Sequence, residues 1–265
     1  MPIKLVALDL DGTLLDGPDL VLPEAVRELV QLGERGVMTA IATGRPLRDV
    51  ERIIKGNWPK ENLPHAIMAD EREGFVLAEG RYEPLSDWNE RMRRAWEGLC
   101  DLAADLMERF ARELAAMDVR LDPFTEQGEW RERGAVVYIA PDREGAERAR
   151  AHIERALEGL RARPPLQCVR NHRLVALRYE RAGKGPTLLE IAKALDVRPE
   201  EVLAVGDSLN DLDMLDGRLG FRSAAPANAE MLVKLAVLRN RGYVAFLPRG
   251  RGIVEIIQRM VCEEM

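Results

Sequence analysis

Short aliphatic runs closed by acidic or glycine turns, alternating with stretches of helical periodicity, constrain this chain more than any other feature of its sequence. Ile3 to Leu10 is such a run, apolar toward both sides and stopped by Asp11-Gly12, as a strand enclosed in a parallel sheet requires. A helical pattern follows from Pro23 to Arg35, and Gly36 ends it. Val37 to Ala42 forms a second strand-like run that stops at Thr43-Gly44, before another helix from Pro46. A third run, His65 to Ala69, leads into two extended pieces, Phe75 to Leu77 and Arg81 to Pro84, separated by a glycine turn. Strand then helix, repeated, predicts a parallel α/β sheet.

The alternation breaks in the middle. Trp88 to about Met117 keeps helical spacing over one long stretch. Ala135 to Ala140 reads as a strand, Gly145 to Leu160 as a helix, and 166 to 170 with 173 to 179 as a hairpin around Asn171-His172. Alternation returns with a helix from Pro186 to Leu195, a buried-strand run from Glu201 to Val205 and a terminal helix near Gly252 to Val261. A chain of 265 residues also exceeds the usual single-domain size. The expected fold class is α/β: a Rossmann-like parallel-sheet core from residues 1–84 and 183–265, with an inserted α+β domain at 85–182.

Four segments carry chemistry. In DLDGTLLD, residues 9–16, Asp9 and Asp11 stand two apart at a strand end, so both side chains are expected to leave the same face. Gly12 lets the backbone turn and frees amide N–H groups for an anion. In GDSLND, residues 206–211, Asp207 and Asp211 are four apart and share a face of a helical turn. Four carboxylates around one point make an oxygen-rich site suited to Mg2+. ATGRP, residues 42–46, sets Thr43 and Gly44 where a strand passes into a helix, a place for an anion, and Lys184 in AGKGP adds a mobile positive charge between glycines.

In order and spacing these segments resemble the motifs of the haloacid dehalogenase superfamily, in the branch that carries a large α/β cap between the second and third motifs. LPHAIMADEREGFVL, residues 63–77, followed by Trp88, is similar to its sucrose-phosphatase group. The resemblance implies a phosphatase in which Asp9 attacks phosphorus, while Asp11 protonates the leaving oxygen and then activates water. It implies that Thr43 and Lys184 hold the phosphoryl oxygens, with Gly12, Gly44 and Asn210 close by, and that Lys184 orients Asp9. Asp9, Asp207, the main-chain carbonyl of Asp11 and, directly or through water, Asp211 would ligate Mg2+. The implied substrate is a small phosphorylated metabolite, a sugar phosphate, with the inserted domain supplying specificity. A phosphosugar mutase, or a binding module without catalysis, is the alternative. Arg45, beside the phosphate loop, is expected to meet a substrate oxygen or a residue of the inserted domain. One departure stands out: relatives carry Asn-Gly after the third strand, where this chain reads Asp70-Glu71-Arg72-Glu73-Gly74.

Composition excludes other classes. A net charge of −6 provides no basic field for nucleic acid. No apolar run approaches the ~20 residues a membrane helix needs, and no basic leader precedes the first strand. Cys100, Cys168 and Cys262 are too scattered for a disulfide framework. The expectation is a cytoplasmic monomer or small homo-oligomer with no nucleic-acid or membrane partner. His65, His152 and His172 lack metal-ligand spacing, and Trp88 and Trp96, eight apart, are expected to pack the apolar face of the first helix of the insert.

Overall fold

The aliphatic runs pair side by side. In a computed structural model that describes residues 1–124 and 129–262, eight strands form one sheet: β1 (Leu5–Leu8), β2 (Met38–Ala42), β3 (Ala66–Ala69), β4 (Glu73–Ala78), β5 (Arg81–Pro84), β6 (Val202–Val205), β7 (Arg222–Ala225) and β8 (Tyr243–Val244). Their order is β8-β7-β6-β1-β2-β3-β4-β5. The six from β8 to β3 are parallel, and β4 and β5 add an antiparallel edge. β1 lies at the centre, its register set by Leu5 opposite both Val202 and Met38.

Alternation along the strands explains why the runs are apolar on both sides. Val6 and Leu8 enter one core with Leu29 of helix α1 (Pro23–Glu34), Ile53 of α2 (Leu47–Asn57) and Ile256. Leu5 and Ala7 enter a second core with Leu188 and Ile191 of α3 (Lys184–Ala194). Each such side chain, removed from water, stabilises the fold by about 1.5–3 kcal/mol. α1 starts on Pro23, whose missing N–H is needed by no helix bond at the first turn, and Gly36 at φ +80° closes it.

The chain divides into two compact units, Met1–Asn89 with Gly183–Met265, and Glu90–Ala182. In the second, Leu166–Asn171, Leu174–Tyr179, Ala135–Ile139 and Asp122–Pro123 pair antiparallel in that order. Helices Cys100–Ala115 and Arg143–Glu158 contribute Phe110, Met107 and Ile153 to its own core, around Trp96.

The long helical stretch expected from Trp88 to Met117 is two helices, Ser86–Glu97 and Cys100–Ala115. The break falls at Gly98-Leu99, where glycine weakens helix propagation and Leu99 bonds back only three residues, to Trp96 O at 2.8 Å. The two tryptophans, both on Ser86–Glu97, do not pack one common face. Trp88 Nε1–H donates to Arg72 O at 2.7 Å in the first unit, while Trp96 is in the core of the second and donates to Trp130 O at 2.7 Å. The hairpin turn sits on His172-Arg173, one residue later than expected, with His172 at φ +50°. Among the described residues, no helix is long and apolar enough to cross a membrane.

Candidate active site

Three parallel strands end at one edge of the sheet, and each delivers a motif there. Asp9 follows β1, its N–H bonded to Val205 O at 2.9 Å. The chain then leaves the strand in an irregular turn, Leu10–Leu14, with Asp11 extended and Gly12 at φ +87°. A methyl group on Gly12 would stand 2.4 Å from Asp207 Oδ2, so the position admits glycine alone. After β6, Asp211 folds back on its own loop, and its Oδ2 accepts the N–H groups of Asp207 and Ser208, each at 2.9 Å. Gly206 makes this possible, since a methyl there would lie 2.5 Å from the Asp211 carboxyl carbon. The Thr13 hydroxyl donates to Asp207 Oδ1 at 3.1 Å.

Lys184 ties the two acidic segments together. It is 0% exposed, and its ammonium donates to Asp9 Oδ1 at 2.5 Å and Asp211 Oδ1 at 2.6 Å. The mobile loop charge expected from GKG is thus a buried, fixed cation on the first residue of α3. Gly185 explains the rigidity, because a methyl there would meet Asp213 O at 2.2 Å.

Carboxylate oxygens of Asp9, Asp207 and Asp211 lie within 4.8 Å of one another, all buried. One ammonium against three carboxylates leaves excess negative charge in a dry site. Burial, with Asp211 and then Asp207 adding repulsion against the pull of Lys184, holds Asp9 well above the ordinary carboxylate range. Burial and then Asp211 push Asp207 up to about 7. For Lys184 burial acts downward, but Asp211, Asp9 and Glu71 outweigh it and the ammonium stays charged. Three hard oxygen donors short of positive charge are the donor set of a divalent cation.

The fourth carboxylate lies elsewhere. Asp11 is not part of the buried group of Asp9, Asp207 and Asp211. Its side chain is 47% exposed, against 7% for Asp9. Arg45 grips it from both sides, Nε to Oδ2 at 2.8 Å and Nη2 to Oδ1 at 2.6 Å, and also donates to Asp19 Oδ1 at 2.6 Å. Arg45 therefore meets two carboxylates of its own unit. Thr43 follows β2, its hydroxyl accepting the Arg45 N–H at 3.2 Å.

Glu71, noted in the sequence only as part of a departure from relatives, and Asn228, not noted there, also reach this region. Asn210 Nδ2 donates to Glu71 Oε1 at 2.7 Å, which brings the loop after β3 to the GDSLND segment. The position of Glu71 after the end of a parallel strand also points to it. Asn228 Nδ2 holds Gly12 O at 2.7 Å. Three residues of the 170–173 hairpin are engaged within the second unit: Arg170 donates to Glu147 at 3.0 Å, Arg173 donates to Pro141 O at 3.1 Å, and His172 Nδ1 accepts from Arg143 at 2.7 Å. His65 accepts the Thr39 N–H, and His152 pairs with Glu113.

Known proteins resemble this chain over nearly its whole length. The family model of sucrose-6F-phosphate phosphohydrolase matches residues 2–260. A phosphoglycolate phosphatase of Methanopyrus kandleri is 26% identical over 263 residues, 98% of each chain. Among solved structures, the sucrose-phosphatase of Synechocystis sp. PCC6803, determined with sucrose and phosphate, superposes with a TM-score of 0.71 at 21% identity over 98% of each chain. A haloacid dehalogenase-like hydrolase from B. subtilis gives a TM-score of 0.64 at 21% identity, over 97% of this chain and 100% of the other. With its sheet, its acidic strand ends and this match over nearly its whole length, the chain belongs to the sucrose-6F-phosphate phosphohydrolase family and is a phosphatase of the haloacid dehalogenase superfamily.

Proposed function

We propose that this phosphatase is Mg2+-dependent and removes phosphate from a small phosphorylated metabolite, a sugar phosphate, through an aspartyl phosphate on Asp9. The observation that carries the reading is the clamp of Lys184 between Asp9 and Asp211, with Asp207 beside them. A carboxylate so fixed presents one defined oxygen pair to an incoming phosphorus, and the ammonium favours its ionised, nucleophilic form. Asp9 attacks phosphorus, the ester P–O bond breaks, and the departing oxygen takes a proton from Asp11. Asp11 then takes a proton from the water that cleaves the aspartyl phosphate. To act, Asp11 must part from Arg45, which positions it meanwhile. Thr43, the N–H groups near Gly12 and Gly44, Asn210 and Lys184 hold the phosphoryl oxygens. Asp9, Asp207, Asp211 and the Asp11 carbonyl would hold the magnesium ion, which supplies positive charge to the phosphoryl oxygens when bound.

The sucrose-phosphatase likeness supports a sugar phosphate. The phosphoglycolate phosphatase relatives favour a second reading, a phosphorylated hydroxy acid. Phosphate release from sucrose 6-phosphate, hexose phosphates and 2-phosphoglycolate, with Mg2+ or EDTA, tests both. The expected result is Mg2+-dependent release that Asp9→Asn abolishes, strongest on the sugar phosphates. Activity surviving in Asp9→Asn would remove Asp9 from the mechanism. Preference for 2-phosphoglycolate would select the second substrate.

A further inference from the structure

Glu71 stands where the phosphoryl pocket should be most receptive to an anion, and it is itself an anion. It follows β3 in a loop where Asp70 and Glu71 are both left-handed, at φ +49° and +56°, a conformation uncommon for residues other than glycine and asparagine. Two bonds impose it. Asp70 N–H donates to Arg45 O and Glu71 N–H to Thr43 O, both at 3.0 Å. The loop is thereby strapped to the Thr43–Arg45 turn. Its conformation aims the carboxylate inward. Oε1 accepts Asn210 Nδ2–H at 2.7 Å and would stand 3.1 Å from a methyl on Gly44. Glu71 is also one of the three charges felt by the Lys184 ammonium. Asn210, Gly44 and Lys184 are the residues proposed to hold phosphoryl oxygens, and the role of Glu71 rests on that reading of the pocket.

We propose that Glu71 is a specificity-determining acceptor in the phosphoryl pocket, restricting it to tetrahedral anions that bring a proton of their own. An ionised carboxylate accepts hydrogen bonds and donates none. A phosphoryl group with one P–O–H, as in hydrogen phosphate or the monoanion of a phosphate ester, can give that hydrogen to Glu71. Sulfate, unprotonated near neutrality, offers only lone pairs, and two bare anions at hydrogen-bond distance in a half-buried site repel. Discrimination thus comes from a repulsive element built into the pocket as well as from its donors.

Titration calorimetry of inorganic phosphate and inorganic sulfate, into magnesium-supplied protein at matched ionic strength, tests this in wild type, Glu71→Gln, Glu71→Asn, Glu71→Asp and Glu71→Ala. Thermal melting reports separately that each variant is folded. Gln keeps an acceptor for Asn210 and adds a donor, Asn tolerates the left-handed backbone, and Asp keeps the charge. The phosphate-over-sulfate affinity ratio is expected to fall by about 10- to 100-fold in Glu71→Gln and Glu71→Asn and to survive in Glu71→Asp. An unchanged ratio in both neutral variants overturns the proposal while the phosphoryl pocket stands. A ratio altered in Glu71→Ala alone assigns Glu71 to holding Asn210 and also overturns it. Folded wild type that binds no phosphate sinks the pocket reading and this inference with it.

Discussion

At the scale of single residues, the site is a problem in charge balance solved by one lysine. Lys184→Met keeps much of the volume but leaves Asp9, Asp207 and Asp211 buried without their cation. Breaking a buried pair in this way costs about 3–5 kcal/mol. Urea unfolding without metal should show that loss, and Mg2+ should recover part of it. Asp207 gives a pH signature. Its carboxyl is raised from 3.8 to about 7, by burial and then by Asp211. A group that holds its proton more tightly folded than unfolded adds stability that is full below 3.8 and gone once the pH has risen through about 7. Melting temperatures of metal-free protein should therefore contain a decline between those values that is shallower in Asp207→Asn, where Asp9 alone of the two keeps its raised carboxyl. The same decline in both proteins would refute the assignment. Asp9, Asp207 and Lys184 could be picked out by local motif, but their joining was legible only through the family resemblance, because Lys184 and Asp9 are 175 positions apart. Local reading also made Lys184 mobile and grouped Asp11 with the other three carboxylates, since neither the packing behind Gly185 nor the Arg45 clamp leaves a mark in neighbouring residues.

At the scale of elements, the sheet was readable because its strands are buried on both faces and stop at sharp turns. Leu5 to Leu8 and Val202 to Val205 show this pattern plainly. The break at Gly98-Leu99 was not readable, since apolar spacing runs through it unbroken and a single glycine is tolerated in many helices. Turns that end strands carry tight steric conditions, and Gly206 tests them. A methyl there collides with the Asp211 carboxyl, so Gly206→Ala must push the GDSLND loop outward. Such overpacking costs about 1–3 kcal/mol. Magnesium affinity, measured by calorimetry, should weaken together with the unfolding free energy. A stable variant with intact metal binding would mean that the loop yields more easily than its backbone bonds suggest.

At the scale of the whole molecule, each unit has its own core, and the acidic cluster belongs to the first alone. A ligand stabilises what it binds by mass action. Hydrogen exchange with and without Mg2+ should therefore show added protection in Leu5–Leu8 and Val202–Val205, and little in Ala135–Ile139. Equal protection throughout would mean that the two units unfold as one. Lys184 offers a further use. A primary amine with no exposed surface and two carboxylates in contact cannot meet an acylating reagent while the fold is closed, whereas lysines such as Lys4 and Lys193, each about half exposed or more, can. The moment at which Lys184 becomes labelled is thus a clock for opening of the buried acidic cluster, readable by mass spectrometry from the native protein with no probe attached.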